Sequence, residues 1–153
     1  MKVLFLHGLE SLPGGDKAKS LAKEGFEVLN PHLPKSSYVE SVKIAQRIIY
    51  EESPDVIVGS SRGGAVAMSV DPVDAGVVLV APAWKLFCKT NNYLPRRTLI
   101  LHSKNDKSVP IGDSEELAKA QGLTMVTCGM NHRMQDKDAL EAILEAVQWC
   151  SKS

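Results

Sequence analysis

Six short runs rich in Val, Ile and Leu constrain this chain more than any other feature: Lys2–Leu6, Phe26–Leu29, Val56–Val58, Val77–Val80, Thr98–Leu101 and Thr124–Thr127. Consecutive apolar positions leave no solvent face, so each run fits a strand covered on both sides, as in a parallel sheet. The gaps between runs carry helical patterns. Val39–Tyr50 places Val39, Val42, Ala45, Ile48 and Ile49 on one face, and Asp138–Trp149 does the same with Leu140, Ile143, Leu144 and Val147. Asp16–Lys23 and Asp113–Ala120 are shorter helix candidates, each opened by a residue suited to N-capping. Long crossovers between strands imply an α/β fold, a six-stranded mostly parallel sheet with helices on both faces. Pro82–Pro95, which holds Trp84, Phe87, Tyr93 and Asn91-Asn92, reads as a short helix plus loop.

At 153 residues the chain is expected to form one domain over its whole length, 1–153. A domain of this size buries about two-thirds of its unfolded surface and needs no metal or disulfide to fold. Lys plus Arg and Asp plus Glu both total 18, so no net field draws polyanions, and nucleic acid is excluded as a primary partner. The odd set Cys88, Cys128 and Cys150 has neither a metal-site nor a disulfide-framework spacing, which suits a reducing cytoplasm. No stretch reaches the ~18 apolar residues of a membrane span, and Met1–Leu6 is too short for a secretory apolar region, so no membrane partner is expected. A nucleotide-binding sheet would need a Gly-rich phosphate loop after its first strand, where His7-Gly8-Leu9-Glu10 offers one glycine and an acid. No metal site is expected.

In an open parallel sheet, ligands bind beyond the carboxyl ends of the strands. After the third run stands Gly59-Ser60-Ser61-Arg62-Gly63, the Gly-x-Ser-x-Gly pattern between a buried strand and a helix. A nucleophile on so sharp a turn needs neighbours without side chains two positions away on each side, and Ser61 satisfies this where Ser60 does not. A serine hydroxyl needs an imidazole to take its proton and a carboxylate to orient that imidazole. Asp106 follows the fifth run and His132 the sixth. The glycines also fit mere close packing of helix on sheet, Asp106 a turn cap, and His132 an exposed loop. An acyl-transfer site also needs oxyanion donors, each worth about 3 kcal/mol; the N–H groups of Leu9 and Arg62 are the candidates. His7, His32 and His102 read as structural histidines, His102 lying beside the Asp106 loop.

The chain resembles the α/β-hydrolase superfamily through Leu6-His7-Gly8, Gly59–Gly64, Asp106 with Val109-Pro110, and Gly129 with His132, and the resemblance spans essentially its whole length. Within it, His7-Gly8-Leu9-Glu10-Ser11-Leu12-Pro13 followed by Lys17-Ala18-Lys19, together with the elbow Gly59–Gly64, is similar to small bacterial YqiA-type esterases. The resemblance implies a serine hydrolase of carboxylesterase or thioesterase type, with Ser61, Asp106 and His132 in the superfamily's chain order and no cofactor. The His-Gly strand is the first here, which leaves a minimal sheet, and Pro82–Pro95 is too short for a large lid. An open site and small or soluble acyl esters follow. Trp84, Phe87, Met130 and Met134 are candidates for an apolar wall, and Trp84 and Phe87 equally fit closing the core beneath the loop. Arg62 is expected either to hold a substrate carboxylate or to pair with an acid such as Glu10. The competing reading is a protein-interaction module with a vestigial triad, which would have no need of all three residues. Neither the acyl group, the leaving group nor the oligomeric state is fixed by these patterns.

Overall fold

In a computed structural model that describes residues 1–8, 14–88 and 93–151, all six runs are strands of one sheet. They are β1 (Lys2–Leu6), β2 (Glu27–Leu29), β3 (Val56–Ser60), β4 (Gly76–Val80), β5 (Thr98–His102) and β6 (Thr124–Thr127), in the order β2-β1-β3-β4-β5-β6. Every pairing is parallel, with Phe5 opposite Val58 and Gly59 opposite Leu79. The alternation of side chains along each strand divides the core in two. Val3, Phe5, Val58, Val78 and Val80 face α1 (Asp16–Lys23) and α6 (Lys137–Cys150). Leu4, Leu6, Ile57, Val77, Leu79 and Ile100 face α2 (Tyr38–Glu52), α3 (Arg62–Met68) and α5 (Ile111–Gln121). Burial on both faces is why the runs lack polar alternation. The chain leaves β1 toward β2 and then returns to place β3 on the other side of β1, a reversal that opens a crevice at the carboxyl ends of β1 and β3. Gly8 and Ser61 stand at those ends.

Three local expectations are corrected. Asp16 and Asp113 are not N-caps: the caps are Gly15 and Pro110, and both aspartates lie inside the first helical turn, where a negative charge is favoured by the helix dipole. Side-chain caps occur instead at Ser37, which accepts from Glu40 N–H, and at Asp136, which accepts from Ala139 N–H. The buried stripe of α2 runs through Ser41, Ala45 and Ile49, and Val39 is exposed. Ser41 replaces Val39 because it has a buried partner, described below. Between β4 and β5 the described residues form only the four-residue α4 (Trp84–Phe87). No helix among the described residues is long and apolar enough to cross a membrane.

The β3–α3 turn is closed by backbone contact. A Cβ on Gly63 would collide with the carbonyls of Leu6 and His7, whereas one on Gly112, in the first turn of α5, would meet nothing. Gly63→Ala is therefore expected to lower the unfolding free energy measured by urea titration severely, by several kcal/mol. Gly112→Ala should raise it by up to about 1 kcal/mol; equal effects in the two variants would contradict the packing described.

Candidate active site

Ser61 stands between β3 and α3 with φ 55° and ψ −115°, a conformation a non-glycine residue adopts only under constraint. The constraint is visible in its bonds: Ser61 N–H donates to Val80 C=O, and Ser61 C=O accepts from the N–H groups of Gly64, Ala65 and Ala83. Gly59 packs against the backbone of Gly63 and Gly64, which brings α3 onto the strand within one residue. Strand β3 thereby aims the Ser61 hydroxyl into the crevice, with Gly8 packed against its Cβ.

The Ser61 Oγ lies 3.0 Å from His132 Nε2, and His132 Nδ1 lies 2.6 Å from Asp106 Oδ2. Only one tautomer serves both contacts: Nδ1–H donates to the carboxylate and the Nε2 lone pair accepts from the hydroxyl. The Asp106 side chain is fully buried, while that of His132 keeps 24% exposure toward the cavity. Asp106 also caps the turn that follows it. Its Oδ1 accepts the N–H groups of Ser108 and Val109, each at 2.8 Å, and leaves Oδ2 for the imidazole. Burial pushes the Asp106 carboxyl up, but the Val109 N–H, His132 and the Ser108 N–H outweigh it and hold the group below the usual carboxylate range.

A second histidine reaches the same carboxylate. His102, fully buried at the end of β5, places Nε2 3.0 Å from Asp106 Oδ2 and 2.9 Å from Val109 C=O, and its Nδ1 lies 2.7 Å from Ser114 Oγ. Nε2–H donates to these two oxygens, and Nδ1 accepts from the Ser114 hydroxyl. The adjacency of His102 to the Asp106 loop hinted at this contact, but Ser114 gave no signal because its partner comes from another element. Ser103 links the two loops, accepting from Asn105 N–H and donating to Gly129 C=O.

The remaining expectations divide. His7 is structural: buried, it accepts from Leu33 N–H at Nε2 and donates through Nδ1 to Gly8 C=O, which fixes the turn beside Ser61. Leu9 and Glu10 lie outside the described residues. The Arg62 side chain does not await a substrate. It is 2% exposed, donates to Ser41 Oγ and Pro34 C=O, and lies over the rings of Tyr38 and Phe87. These partners satisfy a guanidinium that would be costly to bury alone. Trp84 and Met134 do not line the cavity. Trp84 Nε1 donates to Asp113 C=O on α5, and Met134 is fully buried beneath Gly129. Met130, 69% exposed, and Phe87 do line it. The cavity occupies about 970 Å³ around Ser61 and His132, ample for a small-molecule ligand. Among the described residues no cluster of side chains has a metal-binding arrangement.

Because the native carboxyl of Asp106 titrates below its unfolded value, it stabilises the fold above the ordinary carboxylate pKa and loses that contribution as pH falls through the native one. The stability gap between wild type and Asp106→Asn, from urea titrations, should therefore be largest near neutrality and shrink on acidification. A gap that widens toward low pH would contradict the bonding described.

No protein-family model matches the chain, and no curated protein sequence matches it significantly. Solved structures do resemble it. One is described as a hydrolase of the alpha/beta superfamily, from Xanthomonas campestris pv. campestris, with TM-score 0.76 and 18% identity over 98% of this chain and 94% of that one. The esterase domain of a Rhodothermus marinus protein superposes with TM-score 0.69 and 18% identity over 98% and 85%. Mouse alpha/beta hydrolase domain-containing protein 10 gives 0.76 and 15% over 96% and 88%. Likeness of this extent, on a parallel sheet with a strained serine turn at its carboxyl edge, identifies the fold of this chain as that of the alpha/beta hydrolases.

Proposed function

We propose that this protein is a serine hydrolase of esterase type, which transfers the acyl group of a carboxylic ester or thioester to water through Ser61. The observation that carries this reading is the continuous chain of hydrogen bonds from the buried Asp106 carboxylate through His132 to the Ser61 hydroxyl, at the cavity floor. The resemblance to an esterase domain supports it.

In this reading Ser61 Oγ attacks the acyl carbon as its proton passes to His132 Nε2. Asp106 holds the ring in the required tautomer and stabilises the imidazolium. The negative charge that develops on the carbonyl oxygen is taken by the N–H of Arg62, the first of α3 and so without an intrahelical acceptor, and by the N–H of Leu9. The tetrahedral species collapses, the bond to the leaving group breaks, and His132 returns the proton to the departing atom. Water repeats the sequence on the acyl-enzyme, giving the free acid and restoring Ser61. The role left to Arg62 is its backbone N–H, since its guanidinium anchors α3 to the start of α2.

A fluorophosphonate probe is expected to label folded wild-type protein and not Ser61→Ala, and hydrolysis of para-nitrophenyl acetate by that variant should fall by about ten-thousand-fold or more. Unlabelled wild-type protein would favour the interaction-module reading, and labelling that persists in Ser61→Ala would move the nucleophile elsewhere. His102 acts through Asp106 as a positioning residue. His102→Leu, which removes a donor to a buried carboxylate, should lower kcat/KM about tenfold or more, and His102→Gln, which retains an N–H, should lower it less; equal losses would reduce His102 to packing alone.

A further inference from the structure

The cavity around Ser61 has two unlike walls, and they come from opposite faces of the sheet. On the face of α2, α3 and α5, Ala83, Leu86 and Phe87 present apolar surface. On the face of α1 and α6 stand Lys17, from α1, and Arg133, in the loop that leads to α6; Lys107, next to Asp106, extends the same charge. No acidic side chain lines the cavity among the described residues. Of the acids closest in the chain to that wall, Asp16 adjoins Lys17, and the others are engaged elsewhere. Asp106 faces His132, His102 and two N–H groups, Asp136 accepts from the N–H groups of Met130 and Ala139, and Asp138 accepts from Gly129 N–H. Among the described residues, no ion pair joins Lys17, Lys107 or Arg133 to an acid, whereas Lys2 and Lys85 are paired.

Lys17 is half-buried, and burial pulls its ammonium below the usual lysine range; Asp16 opposes this and Arg133 adds to it. Two cations held together at a cavity wall, one of them partly stripped of water, are stabilised by an anion between them. In a chain with no net charge this positive wall is a local feature, with the steering effect that such a patch exerts on a charged ligand.

His132 fixes which end of the substrate meets that wall. Its loop also carries Arg133, and as general acid it hands its proton to the departing atom, so the leaving group lies on its side of Ser61. We propose that the leaving group of the natural substrate is an alcohol or thiol bearing a negative charge, a carboxylate, sulfonate or phosphate, seated by Lys17 and Arg133, with the acyl chain against Ala83, Leu86 and Phe87. The inference rests on the acyl-transfer reading and adds the substrate class.

Three acyl donors test it. para-Acetoxybenzenesulfonate carries the charge on the leaving group, para-acetoxybenzenesulfonamide is its neutral counterpart, and the hemisuccinate of the same neutral phenol moves the charge to the acyl side. Wild-type protein is expected to prefer the sulfonate over the sulfonamide by about tenfold in kcat/KM, as two partly exposed ion pairs would give. The preference should decline as salt is raised, and should collapse in Lys17→Gln/Arg133→Gln while persisting in Lys43→Ala, on α2 away from the cavity. Far-ultraviolet circular dichroism checks that the double variant folds, and the single variants give the same comparison if it does not. Turnover of the neutral ester with no preference for the sulfonate, or a preference only for the charged acyl group, overturns the inference and leaves the acyl-transfer reading standing. Absence of Ser61-dependent turnover of all three overturns both.

Discussion

Everything at this site depends on one contact between two pieces of backbone, the approach of Gly63 and Gly64 to Gly59 and to the carbonyls at the end of β1. It lets β3 become α3 within a single residue, and that residue is Ser61, left with a positive φ that side chains rarely tolerate. The cost of that conformation is offset by the packing around it: Val80 C=O accepts its N–H, and its own C=O accepts three more. Because α3 is buried along its whole length between β1, β3 and β4, the turn has no room to relax. A hydroxyl held in this way projects from the sheet edge instead of folding back on its own helix.

The second determinant is the division of labour on Asp106. One carboxylate oxygen closes the Ser108–Val109 turn, and the other is shared by two imidazoles, one buried and one facing the cavity. With four donors around it, the carboxylate is held as an anion in one orientation, and it selects the tautomer of His132 that presents a lone pair to Ser61. The chemistry and the local fold are therefore supported by the same bonds. The strand order adds the asymmetry of the cavity, since the reversal between β2 and β3 sends α1 to one face with α6, and α2, α3 and α5 to the other.

The sheet was legible because burial on both faces writes itself as unbroken apolar runs, and all six runs are strands with bounds within two residues. Ser61, Asp106 and His132 were legible because each must follow a strand, and the structure brings the three together. What escaped the reading depends on partners distant in sequence. Arg62 invites a substrate carboxylate or an acid such as Glu10 as its partner until the fold places Ser41 against it in the core. Ser114 and His102 are joined only when α5 packs on β5. Trp84 looked like a wall of the site, but its indole N–H found a carbonyl on α5, and the ring followed it away from the cavity. Helix starts failed at Asp16 and Asp113 for a simpler reason: an aspartate is favoured both as a cap and within the first turn, and sequence does not separate the two.

In the proposed reaction Ser61, deprotonated by a His132 oriented through Asp106, carries the acyl group between substrate and water. Rapid-quench measurement of leaving-group release, with mass analysis of the peptide containing Ser61, tests this most directly. An early burst approaching one equivalent per chain is expected, with the mass of one acyl group on Ser61. A burst without an adduct on that residue, or steady turnover accompanied by acylation of another side chain, would contradict it.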